Sequence, residues 1–139
     1  MTNLSIFVRQ ANVEDADVIQ KHRQMSEQES IQYRGSIALS KTEPISRFAF
    51  VAGLGVTVMG SLIASQSPDK SWTIESVFVE TACRDIGIGD ALVVACLREL
   101  HLAKATWVRS HALPGDRATK NLFERHGLVA QTITVGKSL

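Results

Sequence analysis

An apolar run from Ile74 to Val79 leads into the turn Arg84-Asp85-Ile86-Gly87-Ile88-Gly89, which passes without a spacer into the strongest helical segment of the chain, Asp90–Ala103. Glycines at such a junction let the backbone turn tightly and admit a ligand close to the main chain. The first turn of a helix offers unpaired N–H groups and the positive end of the macrodipole. Together these suit a phosphate, and Arg84 adds charge. The spacing narrows the choice. After Gly87 and Gly89, the third position of a dinucleotide fingerprint is Leu92, and the turn comes late in the chain. No Gly-Lys-Ser/Thr follows, which excludes a P-loop. Read on these residues alone, an ordinary strand-to-helix turn fits as well as an anion cradle does.

The rest of the chain bounds the setting. Its 139 residues suit one domain, 1–139. A net charge of +1 gives no footprint for nucleic acid or a membrane surface. The apolar stretch from Phe48 to Ala64 is broken by Gly53, Gly55 and Gly60 and reads as two strands and a turn, not a membrane span. The N-terminus lacks the apolar run of a signal peptide, and Cys83 and Cys96 read as reduced thiols, so a cytoplasmic location is expected. No cluster suggests a metal site.

Periodicity gives the element order. Ile6–Arg9 is a short strand. Asn12 and Asp15 form a capping-box pattern ahead of a helix from Val13 to Gln28, with Val13, Ala16, Ile19 and Met25 as its apolar stripe. Ser30–Ser46 reads as a loop with one short helix. Arg47–Ala52 and Val56–Ser65 form a hairpin, and Ser71–Glu80 adds a third strand. After the Asp90–Ala103 helix come a strand at Thr106–His111 and the turn Leu113-Pro114-Gly115. A last helix is capped by Asp116, runs to His126 and is stopped by Gly127. A final strand is expected at Val129–Val135. The predicted fold is α/β, a mixed and mostly antiparallel sheet flanked by helices, in the order β-α-β-β-β-α-β-α-β.

Arg84-x-x-Gly87-x-Gly89 resembles the acetyl-CoA motif Gln/Arg-x-x-Gly-x-Gly/Ala of the GNAT superfamily of N-acetyltransferases. The preceding strand of that family, Ile-x-x-Leu-x-Val, is matched by Ile74, Val77 and Val79. A second family pattern, Asn-x-x-Ala-x-x-Leu-Tyr-Glu-x-x-Gly-Phe, is echoed by Leu122, Glu124 and Gly127, with Asp116, Thr119, Phe123 and Leu128 in place of its Asn, Ala, Tyr and Phe. The resemblance implies acetyl-CoA as co-substrate, with no metal, and direct transfer of acetyl to a primary amine of a small molecule. It implies that N–H groups from Arg84, Asp85, Ile86, Gly87, Ile88 and Gly89 hold the pyrophosphate. Main-chain groups of Val77 and Val79 would meet the pantetheine arm, with Asp116 and Phe123 also at the cofactor. A protein lysine or N-terminal acetyltransferase and a non-catalytic acyl-CoA-binding module are the alternatives.

Amine acetylation needs a group to take a proton from the acceptor. Glu75 is the candidate base, because simple alternation puts it on the face of Val77 and Val79. An ordinary surface glutamate is the competing reading. His111 is a candidate base or acid at the end of a strand, while Glu29 and His22 are weaker alternatives. Phe123 stands where the family commonly has a tyrosine acid, and the only tyrosine is Tyr33. Trp72 and Trp107 read as sheet packing, and Cys96 as core. An exposed edge strand near the C-terminus leads us to expect a homodimer.

Overall fold

The computed structural model describes residues 5–37 and 42–139. Strand β1 (Ile6–Gln10) is followed by Asn12, which caps a short 3₁₀ turn, Val13–Asp15, continuous with helix α1 (Ala16–Ser30). The start is fixed by a reciprocal cap. The Asn12 side chain accepts from Glu14 N–H, and Asp15 accepts from the Asn12 N–H at 2.8 Å. Asp15 is buried and also takes a two-pronged ion pair from Arg9 at 2.7 and 3.0 Å, which ties α1 back to β1. The helix outruns its expected end by two residues, and its inward face differs from the stripe read in the sequence. Val13 is 91% exposed and His22 is 1% exposed.

Strands β2 (Ser46–Leu54), β3 (Thr57–Gln66) and β4 (Trp72–Val79) form an antiparallel meander. Helix α2 (Ile88–Leu102), strand β5 (Val108–Arg109) and helix α3 (Arg117–Arg125) follow. The sheet order is β1-β2-β3-β4-β5, antiparallel except for the β4–β5 pair. One face buries Leu62, Ala64, Trp72 and Ile74 against Ile88, Leu92, Cys96 and Leu100 of α2 and Leu122 and Phe123 of α3. On the other face α1 packs against β3 and β4. There His22 lies 2.9 Å from both Ser61 Oγ and Glu80 Oε2, with its ring 5.3 Å from that of Phe78.

Three expectations change. Among the described residues no strand follows α3: residues 129–135 are extended chain with Val129, Ile133 and Val135 exposed. The β-branched pattern marks what a pleated surface would accept, but a strand also needs a partner, and these residues pair with none of the described strands. Strand β5 has two residues, not the six of Thr106–His111, and Trp107 is half exposed instead of packed. The short helix expected within Ser30–Ser46 is absent from residues 31–37 and 42–45, which hold turns, bends and irregular chain; residues 38–41 lie outside the described residues.

The Asp15 carboxyl is held below its ordinary range, first by its bonds from Arg9 and against the opposing cost of burial. A lowered folded-state value stabilises the fold above the unfolded aspartate pKa and is lost as pH falls through the folded one. Asp15→Ala should therefore cost about 1 kcal/mol at neutral pH. In urea unfolding, the gap from wild type should narrow only below about pH 4.

Candidate functional site

Parallel pairing of β4 and β5 stops after Trp72↔Val108 and Thr73↔Arg109. The Ser110 hydroxyl then donates to the Ile74 carbonyl at 2.9 Å, which pins the two strands at the point where they part. Beyond it lies a cleft of about 490 Å³, lined by β4 from Glu75 to Val79, the Arg84–Asp90 turn, Ser110–Leu113, the start of α3 and the end of α1.

The β4 wall is bent by a bulge. Ala64 pairs with Ile74 and Ile63 with Ser76, so Glu75 is an extra residue with no partner in β3. Such an insertion kinks a strand and resets which side its residues face. It keeps Ile74, Val77 and Val79 all toward α2, and puts Glu75 on the opposite side, where its carboxylate accepts from Arg47 Nε at 3.0 Å. The alternation that joined Glu75 to the face of Val77 and Val79 is thus overturned by the bulge, although Glu75 still lines the cleft.

Main-chain direction follows from the same ladder. The Glu80 N–H donates to the Met59 carbonyl, so residues of that parity turn their backbone groups to β3, and Val77 and Val79 turn theirs to the open edge. The Val79 carbonyl already accepts from Arg84 Nε at 2.8 Å. The Val79 N–H and both main-chain groups of Val77 face the cleft without a strand partner.

At the far end of the cleft, Asp85 (φ 65°) and Gly87 (φ 99°) fold the turn back on itself, and Gly87 caps α2. Aspartate tolerates this left-handed region; glycine enters it at no steric cost. The Arg84 N–H, expected in the cradle, instead donates to the Thr81 carbonyl at 3.4 Å, whereas the successive N–H groups from Asp85 to Asp90 meet no acceptor among the described residues. Gly89 is packed closely beneath α3: a Cβ there would sit 3.4 Å from Leu122 Cδ2. Asp85 is exposed, so its carboxylate is not forced into the turn.

The remaining candidates divide. Asp116 is the cap of α3, accepting from the Thr119 N–H at 3.1 Å and its hydroxyl at 2.7 Å. Phe123 is 6% exposed, part of the core and also at the cleft wall. His111 is exposed on the wall beside Ser110. His22 lies outside the cleft lining, held by Ser61 and Glu80. Ser110 has one hydroxyl proton, and Ile74 takes it.

Two features escaped the sequence reading. Arg84 forms a bidentate ion pair with Glu29, 55 residues away, and its guanidinium lies 5.4 Å from the centre of the Phe78 ring. The bonds from Arg84 hold the Glu29 carboxyl below its ordinary range despite partial burial. Tyr33 reaches the cleft, and the loop that carries it meets the β5–α3 turn. A Cβ on Gly115 would be 3.6 Å from Tyr33 Cδ1, and one on Gly35 would be 3.7 Å from Pro114 Cδ. The i, i+4, i+7 spacing of His22, Ser26 and Glu29 was the available signal for the first feature, since it puts all three on one helix face.

The family profile described as acetyltransferase (GNAT) family matches residues 9–128, and the chain belongs to that family. No curated protein matches in sequence. Among solved structures, an aminoglycoside acetyltransferase from an uncultured soil metagenomic sample, in complex with trehalose, superposes with a TM-score of 0.71 at 17% identity, over 96% of this chain and 95% of that one. The aminoglycoside N-acetyltransferase AAC(6')-Iy, in complex with CoA, gives 0.69 at 15% identity over 99% and 98%. A ribosomal-protein-alanine N-acetyltransferase from Brucella melitensis biovar Abortus 2308 gives 0.69 at 13% identity over 97% and 100%. At these identities the likeness is one of fold. Members of the GNAT family use an acyl-CoA, and no group of metal-ligating side chains occurs among the described residues.

Gly87 gives the sharpest test of the turn. A side chain at its left-handed φ costs about 1–3 kcal/mol of strain. Gly87→Val should weaken CoA binding by about tenfold or more in calorimetry, with the circular dichroism of the fold retained. Unchanged affinity would remove this turn from the site.

Proposed function

We propose that this cleft binds acetyl-CoA and transfers its acetyl group directly to the primary amine of a small molecule. The observation that carries the reading is the run of unpaired N–H groups from Asp85 to Asp90, set at the start of α2 and in line with the open edge of β4. Those N–H groups suit a pyrophosphate. The Val77 and Val79 main chain suits the amides of an extended pantetheine arm, as an added strand would use a sheet edge. Holding thioester and amine together in one cleft supplies much of the rate.

Glu75 is the proposed base. Its place at the bulge puts a carboxylate beside the point where β4 and β5 part, and Arg47 fixes its orientation. His111 is the proposed second proton-transfer group, on the opposite wall. Phe123 has no exchangeable proton, so the departing thiolate is protonated by another group or by water. Asp116 acts through the start of α3, because its carboxylate is occupied by Thr119. The meeting of the Tyr33–Gly35 loop with Pro114 and Gly115 narrows the mouth, which favours a small acceptor over an extended polypeptide. Two of the structural neighbours named above are described as aminoglycoside acetyltransferases, in keeping with an amine of that size.

The reading takes residues 1–139 as one catalytic domain in the cytoplasm, where the unpaired thiols Cys83 and Cys96 stay reduced. No helix among the described residues is long and apolar enough to cross a membrane. We propose a homodimer on the same footing, because β5 leaves one margin of the sheet open and Val129, Ile133 and Val135 are exposed beyond it.

The test is release of CoA thiol from acetyl-CoA across a panel of small amines, aminoglycosides, amino acids and a lysine peptide. At least one small amine should be turned over faster than the peptide. With that amine, Glu75→Gln should lower kcat by about 10²–10⁴ and leave CoA affinity unchanged. Binding of CoA without turnover of any amine would leave an acyl-CoA-binding module instead.

A further inference from the structure

We infer that Glu29 is a positioning residue: it takes up the guanidinium of Arg84 in a net-neutral strut between α1 and the cofactor turn, so that Arg84 is not itself a phosphate ligand. This rests on the reading of the cleft as a CoA site.

Each nitrogen of the Arg84 guanidinium makes one hydrogen bond, which uses three of its five N–H donors. Nε donates to the Val79 carbonyl at 2.8 Å, Nη1 to Glu29 Oε1 at 2.7 Å, and Nη2 to Glu29 Oε2. The paired fork fixes the plane of the group as well as its charge. The aromatic face of Phe78 covers it from β4. One side chain therefore holds three parts of the cleft: the last turn of α1, the end of the open β4 edge and the turn of unpaired N–H groups. His22 makes a parallel tie two turns earlier on the same face of α1, through Glu80 and Ser61. Two polar ties thus hold this face of α1 to β3 and to the residues just after β4, ahead of the loop that brings Tyr33 to the cleft mouth.

The charge balance gives this arrangement a distinctive signature. A strut of one cation and one anion adds almost no net field to the turn. Removing either partner leaves a single charge beside a polyanionic ligand, and the two removals have opposite signs. A pair that only supported packing would weaken the site whichever partner was lost.

The experiment is a double-mutant cycle on CoA binding at low ionic strength, by calorimetry, with wild type, Glu29→Gln, Arg84→Gln and the double variant. Glu29→Gln should tighten CoA binding about threefold or more, and Arg84→Gln should weaken it by a similar factor. The double variant should return to within about twofold of wild type. Arg84→Lys, which keeps the charge, should lie closer to wild type than Arg84→Gln does. A double variant as weak as Arg84→Gln would overturn the inference, because the arginine would then be bonding phosphate directly. Weakening in both single variants would overturn it as well, in favour of a purely structural pair. A wild-type chain that does not bind CoA contradicts the proposed function and this inference with it, and that result is recognisable before any variant is made.

Discussion

β4 and β5 run side by side for only two paired residues, and the functional arrangement follows from that brevity. A longer parallel ladder would consume the backbone groups of β4 as far as Val79. Instead the strand keeps one margin paired to β3 and presents the other to the cleft. The Ser110–Ile74 bond sets where the strands part. The bulge at Glu75 sets how β4 bends just past that point, so the side chain at the bend and the main chain beyond it serve different sides of the cleft. An unpaired strand margin inside a protein is normally a liability. Here it is bounded by α3 and by the loop after α1, which limits what can reach it.

The two faces of the sheet divide the work. The α2 and α3 side carries the main apolar core, and through Ile88, Leu92 and Leu122 it holds the glycine turn rigidly against the sheet. Ion pairing from Asp90 to Arg125 and His126 joins the start of α2 to the end of α3 on that side. The α1 side is smaller and relies on polar ties. Its buried histidine and its Glu29–Arg84 pair hold a helix with a mostly polar surface against β3 and β4. The α2 and α3 side is therefore set by packing, whereas the α1 side is held by a few directional bonds.

What could be read in the sequence was what short-range chemistry decides. The Asn12–Asp15 box, the Asp116 cap and Gly127 after α3 depend on neighbours within a few residues, and all three lie in the structure as expected. The glycine turn and its place between a strand and α2 were legible for the same reason. Features that depend on distant partners were not. The bulge at Glu75 exists only in register with Ile63 and Ala64, so alternation along β4 alone assigned the wrong face. The burial of His22 depends on Ser61 and Glu80, and the orientation of Arg84 depends on Glu29. The segment 129–135 has the composition of a strand but pairs with none of the described strands.

The central claim is that main-chain N–H groups at the turn and on the open margin of β4 form the cofactor site. Amide chemical-shift mapping of the labelled protein during titration with CoA tests it most directly. The account predicts the largest shifts at the amides of Asp85 to Asp90, with a second group at Val77 and Val79. Saturable shifts that cluster elsewhere, while those amides stay unperturbed, would contradict it.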